Sequence, residues 1–132
     1  MVISEGGLLL VRTQGGWSIP GGHREAGETS AAAAARETRE ESGVDVRAGA
    51  VACVVPATGF VAHWCVPTLE ATPPTPDGVE SSAARYVGSD ELSRWDLGRF
   101  RFPDQVPAYL RALDPKPAHG SDHQIAVPAP PD

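Results

Sequence analysis

Three glutamates, Glu37, Glu40 and Glu41, lie within five residues of one another in SAAAAARETREESGV, residues 30–44. The alanine run and the residues after it predict a helix, and the acids crowd its end. Like charges three or four residues apart on a helix repel by about 0.2–0.5 kcal/mol per pair. Carboxylates in a last turn also face the negative end of the helix dipole, at about 0.3–1 kcal/mol each when exposed. A divalent cation removes both penalties, because hard cations such as Mg²⁺ take oxygen ligands. At 100° per residue the three acids span an arc of about 100° and project into one space. Ala31, Ala34, Ala35, Thr38 and Ser42 share another side, small enough for the helix to lie close to a sheet. Local rules broken together mark a place where function is expected.

The elements that must hold this helix can be read around it. Thr29 or Ser30 suits its N-cap, and Gly43 suits the left-handed position after its end. Upstream, VIS and LLLVRT flank a Glu5-Gly6-Gly7 turn, which predicts a hairpin. GGW then turns the chain into SIPGG, where proline and paired glycines exclude regular structure. Downstream, AGAVACVVP and FVAHWCVPTLEA predict two strands, TPPTPDGVE a Pro-rich loop and AARYV a short strand. SDELSRWDL should open with a cap and at least one helical turn, and PDQVPAYLRAL is the final helix. From Asp114 onward the pattern stops. Five prolines and little apolar material make 114–132 a tail after a domain of residues 1–113. Strands on both sides of one helix, then a second helix, indicate an α/β or α+β layered domain.

Composition narrows the function. The net charge is −6, with 17 acids against 11 bases, which argues against a protein that coats nucleic acid or an anionic membrane. A small phosphorylated ligand remains compatible, provided a metal ion supplies local positive charge. No apolar run approaches a membrane span and the N-terminus lacks signal-peptide regions, so a cytoplasmic location is expected. Cys53 and Cys65 sit in strand-like apolar stretches and read as buried free thiols. Only Met1 to Ser4 precede the first turn. So short a strand predicts either a start further upstream or a partner subunit covering the edge, as in a homodimer.

The residues around the acids carry a family resemblance. Gly22, five residues, Glu28, seven residues, then RETREESGV resembles the Nudix box, G-x5-E-x7-R-E-U-x-E-E-x-G-U, where U is a bulky aliphatic. Gly22, Glu28, Arg36, Glu37, Glu40, Glu41, Gly43 and Val44 stand where the pattern wants them. LLLVRTQGGWSIPGG before the box and ARYVGSDEL after it are similar to the usual flanks. Thr38 departs from the pattern by occupying an aliphatic position, which predicts a looser contact between helix and sheet.

The resemblance implies an α/β/α sandwich with a mixed β-sheet and the box helix on one face. It implies hydrolysis of the diphosphate linkage in a nucleoside diphosphate joined to another group, with Mg²⁺ or Mn²⁺ as cofactor. Such an ion would bridge carboxylates and an anionic substrate and acidify an attacking water. By motif position, Glu37, Glu40 and Glu41 are implied metal ligands, with the Gly21 carbonyl a further one. Glu37 is implied as the base that takes the water's proton, while Arg36 and Glu28 pair and brace the acids.

Outside the box, Glu80 follows the Pro-rich loop near where some Nudix enzymes draw an extra ligand or base; a solvated loop acid is an equal reading. Asp77 is a weaker candidate of the same kind. Trp17 could stack on a base, but packing suits it better, and Phe60 and His63 read as filler beside a strand. His119 and His123 sit in the tail and read as solvated. A compact chain of this kind mildly favours nucleoside triphosphates as substrates. The alternative from another class is a sensor that binds a nucleotide or sugar diphosphate without cleaving it, and an intact set of acids argues against it. An RNA-end hydrolase would want a basic groove, for which Arg99 and Arg101 are too few.

Overall fold

The computed structural model describes residues 1–4, 6–55, 58–68 and 73–114. Strands β1 (Ile3–Ser4) and β2 (Gly7–Thr13) form the expected hairpin, with Ile3 opposite Leu8. One edge of β2 carries β1 and then β3 (Gly16–Ser18), and the other carries β6 (Ala83–Gly88) from Gly7 opposite Gly88 to Arg12 opposite Ala83. Strands β4 (Val46–Val55) and β5 (Phe60–Pro67) form a second antiparallel ladder, irregular between Ala48 and Cys53. The two ladders meet through the N-terminus. Val2 bridges Cys65 in parallel, the Cys65 amide donates to the Met1 carbonyl and the Leu9 amide to the Val2 carbonyl, both at 2.9 Å. The sheet is therefore mixed. Val2 is thus paired on both sides within the chain, with β2 on one side and β5 on the other, while Ile3 and Ser4 pair with β2 alone and Ile3 is exposed.

Strand periodicity explains the layers. Successive side chains of a strand point to opposite faces, and the LLLV of β2 is buried on both. Leu8 and Leu10 join Trp17, Val87, Leu92, Trp95, Phe100 and Tyr109 under α2 (Ser89–Ser93) and α3 (Val106–Leu113). Leu9 joins Val2, Val44, Val46 and Cys65 under α1 (Ser30–Ser42), whose Ala34 and Ala35 pack against them. The product is the expected α/β/α sandwich with the box helix on one face.

Three details differ from the sequence reading or extend it. Residues 16–18 pair with β2 as a strand, since the turn at Gln14–Gly15 returns the chain alongside it before Pro20 ends the pairing. At α2 the cap position is Gly88, with no side-chain bond, and Ser89 lies inside the helix. The register sets Cys53 opposite Ala62, and both cysteines are free thiols. The end of the predicted strand around Leu69–Ala71 and residues 115–132 lie outside the described residues. Among the described residues no helix is long and apolar enough to cross a membrane.

Candidate active site

The site is built on α1, whose ends are fixed by the residue types expected there. Thr29 Oγ1 accepts the Ala32 amide at 3.1 Å. Gly43 turns left-handed at φ 72°, and its amide reaches the Arg39 carbonyl at 2.9 Å, closing the last turn. Thr38 and Ser42 are buried against the sheet. Their hydroxyls are used locally: Thr38 Oγ1 donates to the Ala34 carbonyl at 2.7 Å, and Ser42 Oγ to the Thr38 carbonyl at 2.6 Å. Thr38 thus fills its aliphatic position with no unmet donor, at 3% exposure rather than in the loose contact its polarity suggested.

Around the helix from these residues, carboxylates converge. Oxygens of Glu37, Glu41 and Glu80 all lie within 4.8 Å of one another. Glu37 and Glu41 are almost fully buried, and Glu80 reaches them from the exposed loop before β6. Burial pushes the Glu41 carboxyl up to about 8, helped by its hydrogen bond with Glu37 and the Glu37 and Glu80 charges. Among the described residues the one backbone donor to Glu41 is the Gly21 amide, 3.3 Å from Oε1, which places Gly21 against the centre. Gly22 packs face to face with Glu37, and a methyl group on Gly22 would stand 2.8 Å from Glu37 Cδ.

Arg36 organises the approach to this centre. Its Nε and Nη2 grip Glu28 at 2.7 and 3.0 Å, a bidentate pair. Nη2 also donates to the His23 carbonyl at 3.2 Å, while Nη1 reaches Glu40 at 3.1 Å and Glu37 at 3.3 Å. One side chain thereby ties the glycine-rich loop to the helix. The Arg36 bonds, with a further bond from the Glu25 amide, pull the Glu28 carboxyl down to about 2. Glu40 is not brought into the three-carboxylate group; its half-exposed side chain rests on Arg36 instead.

The acids open onto a cleft of about 850 Å³ whose walls include Gly22, Arg12 and Arg101. Neither arginine has a carboxylate within ion-pair distance among the described residues. Asp77 lies outside the carboxylate group, with Oδ1 accepting backbone amides of its own loop. Trp17 is committed to the core, 5.4 Å from Trp95 between ring centroids. His63 is buried as a strut between layers, Nδ1 2.8 Å from the Gly49 carbonyl and Nε2 2.7 Å from Ser30 Oγ. Phe60 is a partly buried neighbour of the core, and His119 and His123 lie outside the described residues. The sequence left Glu80 open and gave Arg12 no role. Nothing in the local pattern marks an acid 39 positions beyond Glu41 as its neighbour.

Comparison with known proteins agrees with this architecture. A sequence model described as the NUDIX domain matches residues 1–106. An ADP-ribose pyrophosphatase from Streptococcus suis is similar at 25% identity and TM-score 0.63, over 84% of this chain and 85% of that one. A NUDIX hydrolase from Nitrosomonas europaea is similar at 25% identity and TM-score 0.70, over 92% and 69%. A MutT NUDIX hydrolase from Burkholderia pseudomallei is 27% identical with TM-score 0.51, over 68% and 79%. Comparison with curated proteins gave no match. With the family's domain matched over most of its length and its fold shared by these structures, the chain is a member of the Nudix hydrolase family.

Proposed function

We propose that the chain is a divalent-metal-dependent pyrophosphohydrolase that cleaves the diphosphate linkage of nucleoside diphosphate derivatives, with nucleoside triphosphates favoured among them. The observation that carries this reading is the meeting of Glu37, Glu41 and Glu80 within 4.8 Å beside a cleft. The donor set suits a hard cation, being all oxygen and short of positive charge. Mg²⁺ or Mn²⁺ held there would offset the substrate's charge and lower the pKa of a bound water.

The chain's own residues have distinct tasks in this scheme. Glu37, Glu41 and Glu80 would be the central ligands, and the carbonyl of Gly21, whose amide meets Glu41, would be a further one. Glu40 is the outer acid of the set, reaching the centre only by leaving Arg36. Glu37 accepts the proton of the attacking water. Arg36 and Glu28 hold the helix and the glycine-rich loop at a fixed separation, so that the acids do not relax apart. Residues 1–113 are the catalytic unit, and the likeness to a relative named for ADP-ribose keeps that substrate in the test beside nucleoside triphosphates.

The test is release of phosphate or phosphomonoester from a panel of nucleoside triphosphates, nucleoside diphosphate sugars and ADP-ribose, with Mg²⁺ and with chelator. Turnover should require the metal and fall by orders of magnitude in Glu41→Gln. Nucleotide binding without turnover in Mg²⁺ would instead make the chain a sensor.

A further inference from the structure

Glu80 is the one member of the carboxylate centre that α1 does not supply, and among the described residues no hydrogen bond or ion pair fixes its side chain. Its place opposite Glu37 and Glu41 is therefore inherited from its backbone. That backbone is held closely. Asp77 Oδ1 accepts the amides of Val79, Glu80 and Ser81 at 2.8, 2.9 and 2.8 Å. The Gly78 amide closes the turn on the Ser81 carbonyl at 2.9 Å. Ser81, 1% exposed, donates from Oγ to the Glu41 carbonyl at 2.7 Å and accepts the Asp77 amide at 3.1 Å. The Ser82 amide then donates to the Arg12 carbonyl at 2.8 Å, fastening the loop to β2.

We infer that Asp77 and Ser81 form a clasp that positions Glu80: Asp77 shapes the loop, and Ser81 pins it to the end of α1 that carries Glu41. Asp77 is thus a positioning residue, acting through oxygen acceptance rather than through its charge or contact with substrate. A loop acid with a free side chain pays an ordering cost whenever it binds. Setting the backbone in advance removes part of that cost, which is why residues behind a metal's own ligands alter affinity by about 10–100-fold.

The inference rests on the metal-site reading above, and one experiment separates the two. Mn²⁺ affinity, followed by electron paramagnetic resonance of the free ion, is measured for the full chain and for E41Q, E80Q, D77A, D77N and the D77A/E80Q double variant. E80Q and D77A should each weaken Mn²⁺ by about tenfold or more. The double variant should be no weaker than E80Q, since a clasp has nothing left to position once Glu80 has lost its charge. D77N should stay within about threefold of the parent, because its amide oxygen still accepts the three N–H groups. Losses that multiply in the double variant, or D77N as weak as D77A, overturn the clasp. If D77A does not fold, S81A takes its place in the same cycle, with the same expected non-additivity. A parent that does not bind Mn²⁺, or an E41Q that binds as well as the parent, overturns the metal reading. A weak E41Q beside an unchanged E80Q overturns the clasp and removes Glu80 from the ligands, while the metal site on α1 stands.

Discussion

Gly22 and Glu37 face each other with no room for a side chain between them, and this contact explains why the loop before α1 must be glycine at that point. The atoms a Gly22 methyl would strike belong to the tip of a flexible side chain rather than to backbone. Glu37 can therefore yield by swinging away, and the fold survives the change while the centre does not. Gly22→Ala should leave the melting temperature in chelator within a few degrees of the parent. It should weaken Mn²⁺ by about 10–100-fold, as do other changes that misplace a ligand without deleting it. A variant that binds Mn²⁺ as the parent does would show that Glu37 is not a ligand in the position observed. The same residue-scale logic accounts for Glu40. Arg36 makes charge-assisted bonds to Glu28, Glu37 and Glu40, so the repulsion that the sequence places at the end of this helix is partly answered within the chain, on its outer side. The inner side, at Glu41, is left without such an answer.

The elements were legible to different depths, and the difference is one of locality. Both ends of α1 follow from chemistry carried by single residues, a hydroxyl at Thr29 and a missing Cβ at Gly43, and both stand where those residues predict. That can be measured: Thr29→Ala removes the acceptor of the Ala32 amide and should cost about 1 kcal/mol in urea denaturation. An unchanged midpoint would mean solvent replaces the cap at no cost. Strand β3 was not legible, because GWS has no period of its own and is a strand only through its pairing with Val11–Thr13. The place of Val2 between β2 and β5 was hidden for the same reason: its parallel bridge to Cys65 spans more than half of residues 1–113 in sequence. In the site, the box residues announced themselves by spacing along one helix. Glu80 could not, since its approach depends on how a Pro-rich loop is stitched to two other elements.

On the scale of the whole molecule, 114–132 is proposed as a tail outside the catalytic unit on composition alone. Truncation after Leu113 should leave both thermal stability and turnover nearly unchanged. A collapse of turnover with stability intact would place the tail in the active site instead.

The carboxylate centre also sets how the molecule as a whole responds to pH. The Glu41 carboxyl lies near 8 in the folded chain, against about 4.5 when unfolded. Between those values the native state holds a proton that the unfolded state has released. The stabilisation this group supplies is therefore complete below about pH 4.5, and it is lost as pH rises through about 8. In chelator, the parent should lose stability from pH 5 to 8.5. Glu41→Gln, which cannot ionise at that position, should lose less and should be the more stable of the two at pH 8.5. Mg²⁺ should reverse the order there: it binds the ionised native centre, so its affinity rises as the proton leaves, and binding to the native state alone raises stability. Melting curves of both proteins at pH 5, 7 and 8.5, in chelator and in Mg²⁺, read all three effects. A parent with the same pH slope as Glu41→Gln in chelator, and no larger gain from Mg²⁺, would sink the proposal. The repelling acids at the end of α1 would then be part of the fold's resting electrostatics, with no cation required to quiet them.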